Sequence, residues 1–176
     1  MKANIPVSAL IITFLCAALG TGCVCKKDPD RYYDPGKRFS VRFPKDWEIS
    51  EGVKGTVVMA EIPSEDGMRA IRENVNIIVE DLGKDMRVSE YFQRQMFGLK
   101  KLTGAVTVMR GTSDIDGADA RWFIYSYRTQ SLGFRSLVCV FVKGRQGYVI
   151  TCLTEEDTFE QYADQFDEIL KSFRFE

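Results

Sequence analysis

The stretch Leu132-Gly-Phe-Arg-Ser-Leu137-Val-Cys139-Val-Phe141-Val142, then Lys143-Gly-Arg-Gln-Gly147 and Tyr148-Val-Ile-Thr-Cys152-Leu153, decides the fold. In an extended strand Leu137, Cys139 and Phe141 share one face, and Val138, Val140 and Val142 share the other. A strand apolar on both faces lies centrally in a sheet that is covered on both sides. The glycine-rich connection is too short for a crossover, so the two strands pair antiparallel. A turn about Arg145-Gln146 sets Cys139 opposite Cys152 and Phe141 opposite Ile150. Directly opposed residues have Cα atoms about 4.5–5.5 Å apart, at the short end of disulfide geometry. Two readings of the pair stand: a disulfide, or two buried thiols acting as small apolar groups. A one-residue slip of register would turn the side chains to opposite faces.

Working outward, strand patterns recur at Phe39–Phe43, Trp47–Ile49, Thr56–Ile62, Asn74–Asp81, Ala105–Gly111 and Ala120–Tyr127, most of them rich in Val, Ile, Thr and aromatics. Two segments have helical period. One opens at Ser89 as N-cap and aligns Val88, Phe92, Met96 and Leu99. The other opens at Thr158, with Gln161 completing a capping box, and stacks Phe159, Tyr162, Phe166, Ile169, Leu170 and Phe173. Each helix offers one apolar face to a sheet. The expected fold class is α+β: an antiparallel sheet flanked by helices, an α/β/α sandwich.

The N-terminus has the layout of a secretory signal. No charge lies between Lys2 and Lys26, and Ile5 to Leu19 is apolar. Leu19-Gly-Thr-Gly-Cys23 resembles a lipoprotein signal whose cysteine is lipidated. This divides the chain into a signal peptide at 1–22, a lipidated tether at 23–31 and one globular domain at 32–176. Two alternatives are cleavage near Gly20, giving a free secreted protein, and an uncleaved anchor of about 20 residues. Against the anchor, Lys26, Lys27 and Arg31 outnumber Lys2, which opposes an N-in orientation. The expected location is the bacterial cell envelope, with the domain facing the periplasm or the exterior. Val24 replaces the aspartate of an inner-membrane retention signal, which favours the outer membrane where the host has one.

Composition sets further limits. The 176 residues are 45% hydrophobic and 28% charged with net charge −1, which fits one globular domain and gives no basic stripe to track nucleic-acid phosphates. There is no histidine, so no Ser-His or Cys-His nucleophile pair and no imidazole metal ligand exist.

The run Tyr33-Asp-Pro-Gly-Lys-Arg-Phe39-Ser-Val-Arg-Phe43-Pro44-Lys-Asp-Trp47 resembles the opening of PsbP-like domains, with an aromatic-Asp element, a Phe-Ser strand and a Pro-x-x-Trp turn. The closing pattern of Phe159, Tyr162, Phe166, Ile169, Ser172, Phe173 and Phe175 is similar to that group's terminal helix. The group includes the extrinsic photosystem II protein and bacterial envelope lipoproteins of the DcrB type. The resemblance implies an antiparallel sheet between helical layers and an accessory or binding role, and it carries over no catalytic residue.

Other constellations point to little chemistry. Asp114, Asp116 and Asp119 around Gly117 offer oxygen ligands to a hard cation, but the spacing is not that of an EF-hand, and Asp-Gly is ordinary turn chemistry between strands. Glu155, Glu156, Asp157, Glu160, Asp164, Asp167 and Glu168 form an acidic run, while the first helix carries Arg94, Lys100 and Lys101. The run reads as solvated surface or as a docking face. Trp47 and Trp122 belong to the core or its rim. The expectation is a non-enzymatic lipoprotein without cofactor, held at the membrane by its lipid and acting as an accessory module for a protein partner. The alternative is a small-ligand-binding protein with a groove between helix and sheet, lined by Phe and Tyr.

Overall fold

Strands β8 (Gly133–Lys143) and β9 (Gln146–Glu155) form the central hairpin of an antiparallel sheet. They are seen in a computed structural model that describes residues 28–63, 72–99, 104–129 and 132–176. The turn is Gly144-Arg145, with Lys143 opposite Gln146, one residue earlier than the sequence suggests. Gly144 takes the positive φ of +57° that a two-residue hairpin turn needs at its first position. The consequence is a two-residue correction of the partners: Cys139 faces Ile150, and Cys152 faces Leu137. Both cysteines stay on one face but diagonal to each other, and both are free thiols.

The preceding elements are β1 (Tyr32–Asp34), β2 (Phe39–Val41), β3 (Glu48–Glu51), β4 (Val58–Glu61), β5 (Asn74–Asp81), helix α1 (Val88–Leu99), β6 (Val106–Ile115) and β7 (Ala118–Arg128). Helix α2 (Phe159–Ser172) and the short β10 (Arg174–Phe175) close the chain. The main sheet has seven strands in the order β3-β4-β5-β9-β8-β7-β6, each pair antiparallel. A second sheet, β1-β2-β10, has β2 in the middle and lies with α2 on one face of the main sheet. On the opposite face, α1 packs Tyr91 and Phe92 onto Phe123, Val138, Val140 and Val149. The two faces of β8 therefore enter two different cores, as its double apolar pattern requires.

The larger core joins Val58, Val75, Ile77, Phe141 and Ile150 of the sheet to Phe166, Ile169 and Phe173 above it. Its centre is a nest of rings. Phe173 stacks on Phe39 at 5.3 Å and meets Phe141, Tyr148 and Phe175 edge-on at 5.0, 5.7 and 5.3 Å.

Of the two expected N-caps, Ser89 is displaced, while Thr158 holds the N-cap position without the side-chain bond. Helix α1 begins at Val88, and the Glu90 and Tyr91 N–H groups donate to the Arg87 carbonyl, so Ser89 lies inside the first turn. Thr158 does precede α2, but its hydroxyl pairs with that of Thr154 at 2.6 Å and makes no cap bond, so the capping box is absent. A turn at Glu156–Thr158 carries the chain from β9 into α2.

Packed structure begins ahead of residue 32. The Arg31 guanidinium donates to Ser40 Oγ and to the Ser172 carbonyl, and Asp28 pairs with Arg42. The signal segment, Cys23 and the first part of the tether lie outside the described residues, as do Lys100 and Lys101. Among the described residues no helix is long and apolar enough to cross a membrane.

Candidate functional site

Helix α2 cannot cover its side of the sheet. Seven strands at about 4.8 Å spacing span roughly 29 Å, whereas a helix with its side chains is about 10–12 Å wide. The β1-β2-β10 sheet packs through Phe39 and Phe175 onto Phe141 of β8 and Tyr148 of β9, and α2 rests over β9 and β8. Among the described residues, the corner formed by β6, β7 and β8 is left open.

A groove of about 290 Å³ occupies this corner. Its floor is Ile115, Trp122, Ile124, Leu137 and Cys139, and Leu170 of α2 forms its wall. These side chains converge because Trp122 pairs with Cys139, and Ile124 with Leu137, across β7 and β8. The Trp122 ring lies over Gly111 of β6, where an added Cβ would sit 2.5 Å from the ring. Gly111 thus lets the indole lie flat across the outermost strand. Val106 and Met109 share this face of β6 and are 63% and 56% exposed, so the apolar surface runs from the groove to the open edge. The rim is polar. Lys171 and Asp167 form an i, i+4 ion pair on α2, and Asp114 Oδ1 accepts the Gly117 N–H at 2.8 Å.

The thiol in the floor is inert. Burial pushes Cys139 up to about 12, although a Ser113 hydrogen bond acts in the opposite sense, and burial raises Cys152 well above the ordinary range. Both cysteines are therefore expected to resist thiol reagents in the native protein and to react on unfolding. The sign of the pH effect follows. The folded state holds these protons more tightly than the unfolded chain, so their contribution is present below about pH 9 and is lost as pH rises toward 12. Thiol titration with and without urea checks this, and rapid modification of the native protein would refute it.

The aspartates form a hairpin turn. Asp116 and Gly117 take φ of +49° and +78° between β6 and β7. Asp114 accepts the Gly117 N–H, and Asp116 Oδ2 accepts the Phe175 N–H at 2.9 Å while its other oxygen lies 3.6 Å from Arg174. Asp116 thereby pins β10 to the main sheet. Among the described residues, no three Cys, Asp or Glu side chains are grouped so as to hold a metal ion.

Three members of the acidic run, Glu156, Glu160 and Asp167, have local ion-pair partners. Glu156 takes Arg128 at 2.7 Å and Arg135 at 3.3 Å, and the Arg128 hydrogen bond holds its carboxyl below the usual range. Glu160 also approaches Arg135. Because α1 and α2 lie on opposite faces of the sheet, the basic and acidic helices do not make one docking face. Arg94 pairs with Glu80 on its own side.

The sequence predicts a groove between helix and sheet with Phe and Tyr walls. Those rings fill the core instead, and indole and aliphatic groups line the opening. The signal for it lay in the β7 alternation of Trp122 and Ile124, read with the fact that a single helix follows β9.

A protein-family model described as PsbP matches residues 27–175. None of the curated proteins matches the sequence. Among solved structures, the chain is similar to cyanobacterial PsbP (CyanoP) from Synechocystis sp. PCC 6803, with a TM-score of 0.63 and 18% identity over 83% of this chain and 91% of that one. It is also similar to LpqN, described as involved in cell envelope biogenesis of Mycobacterium tuberculosis, with a TM-score of 0.62 and 15% identity over 81% of this chain and 87% of that one.

Proposed function

The chain belongs to the PsbP family, and from that premise we propose that it is a non-enzymatic accessory module of a bacterial envelope complex, tethered through a lipid on Cys23. The domain would face the periplasm or the cell exterior. The observation that carries the reading is the uncovered apolar corner of the sheet, where Trp122, Ile124 and Leu137 meet solvent beside α2. An apolar surface continuous with exposed Val106 and Met109 suits a protein partner that inserts an apolar side chain. The lipoprotein-type signal ending at Cys23 supports the tether, and the likeness to LpqN is consistent with an envelope setting. Two buried, protonated thiols and carboxylates engaged by arginines and backbone N–H groups favour binding over catalysis.

The test is native mass spectrometry of the full protein extracted from its own membrane in mild detergent. The expected spectrum has an acylated Cys23 and a retained companion protein. Leu137→Glu should lose the companion while circular dichroism stays unchanged, and Cys23→Ala should leave the membrane fraction without unfolding. A second reading rests on the same groove, whose volume is near the lower end for small-ligand sites. An unlipidated protein carrying a small apolar molecule would replace the first reading with that one.

A further inference from the structure

Strand β6 is an outer strand of the main sheet, so among the described residues one side of its backbone is unpaired. Its register with β7 is broken once, between Thr107 and Met109, where Val108 is the extra residue of a bulge. From Met109 to Ile115 the ladder is regular, and Asp116-Gly117 then turns the chain away. The open edge therefore offers a regular run of seven residues whose middle is Thr112.

We propose that this edge pairs with the β6 edge of a second copy of the chain, antiparallel about a two-fold axis at Thr112, extending the sheet across both molecules. The inference stands on the register and charges of β6 and does not need the function proposed above, although Met109 and Ile115 border both surfaces. A two-fold axis normal to the sheet keeps each face on its own side, which restricts the pairing to registers centred on a residue. Centring on Arg110 sets two guanidinium groups against each other, and centring on Asp114 sets two carboxylates together. Centring on Thr112 places Arg110 opposite Asp114 twice, Met109 opposite Ile115 twice, Gly111 opposite Ser113 twice, and Thr112 opposite itself. Opposite charges, apolar pairs and Thr–Thr pairs are the combinations that favour cross-strand pairing.

A second charge observation agrees. Within one chain Asp114 lies directly opposite Asp119, a like-charge pair that costs stability. Arg121 of β7 has its guanidinium over the Phe92 ring, 5.9 Å from the centroid. Arg110 of the second copy would bring a cation to Asp114 on the same face. Met109, now exposed, would pack beside Ile115 of the second copy and make the two grooves neighbours.

The experiment uses the full-length protein in its own membrane. Residues opposed across a strand pair have Cα atoms about 4.5–5.5 Å apart, within disulfide range, so Thr112→Cys should cross-link to its own copy under mild oxidation. Wild type, with its native cysteines, sets the background, and Thr107→Cys, far from the axis, should not exceed it. In the Thr112→Cys background, Arg110→Glu should reduce the cross-linked dimer about tenfold, and adding Asp114→Arg should restore it. No dimer at Thr112 above background, a Thr112 adduct to a different protein, or failure of the charge swap to restore the dimer would overturn the proposal. Companion loss in Leu137→Glu with the Thr112 dimer intact would separate the two surfaces.

Discussion

Phe173→Ala is expected to lower stability by about 3–5 kcal/mol, the cost of removing a fully buried aromatic ring that its surroundings cannot replace. At roughly 2–4 °C per kcal/mol for a chain of this size, the melting temperature should fall by about 6–20 °C. The cost is high because of where the ring sits. Phe173 is the residue after the last turn of α2, its N–H donates to the Leu170 carbonyl, and its ring contacts Phe39, Phe141, Tyr148 and Phe175. Those partners come from β2, β8, β9 and β10, so one side chain joins the small sheet, the large sheet and the terminal helix. Removing it also takes from Phe175 one of three ring contacts, leaving those with Phe141 and Tyr148. Urea unfolding followed by circular dichroism checks the value, with Ile49→Ala, half exposed on β3, as a control expected within about 0.5 kcal/mol. A loss below about 1 kcal/mol for Phe173→Ala would mean that the aromatic nest does not hold the layers together.

The same ring nest explains which parts of the fold could be read in advance. Strand β5 runs over Asn74–Asp81 as its alternation suggests, and the two apolar faces of β8 enter two cores. Such segments carry their own periodicity, and the sheet only confirms it. Strands β1 and β10 are three and two residues long, too short for any period. They exist because tertiary contacts hold them: Tyr32 against Phe39 and Phe43, Phe175 against Phe173, and the Asp116 carboxylate on the Phe175 N–H. The hairpin register slipped for a related reason. Two glycines stand at the β8–β9 connection, Gly144 in the turn and Gly147 in β9, and sequence cannot say which is needed for its backbone and which for its missing side chain. The groove was hidden most deeply, since it arises from the width of seven strands set against one helix. That is a property of the assembled layers. Tyr91 fell outside the stripe assigned to α1, yet it is fully buried, and the reason lies in the second of those two glycines.

Gly147→Ala is expected to cost about 1–3 kcal/mol, the range for forcing extra volume into a packed core. The position has no positive φ, so alanine is not strained there by its backbone. What it lacks is room. A Cβ at Gly147 would lie 2.6 Å from Tyr91 Cζ and 2.9 Å from both its Cε1 and its hydroxyl oxygen. The tyrosine cannot swing away cheaply. Its hydroxyl donates to Glu80 Oε2 at 3.1 Å, Arg94 binds the same carboxylate oxygen at 2.8 Å, and the Arg94 guanidinium stands over the ring at 5.7 Å. Glu80 in turn sits opposite Gly147 on the neighbouring strand, so the ring, the ion pair and the glycine form one closed unit. Displacing Tyr91 would leave its hydroxyl and the Glu80 carboxylate short of a partner and loosen α1 from the sheet. The two sites must therefore couple. Tyr91→Leu alone should destabilise by removing a buried ring, but in the Gly147→Ala background its cost should shrink, because the smaller side chain leaves space for the new methyl group. A double-mutant cycle by urea unfolding measures this, with an expected coupling of about 1 kcal/mol or more. Additive costs would show that Tyr91 and Gly147 do not constrain each other.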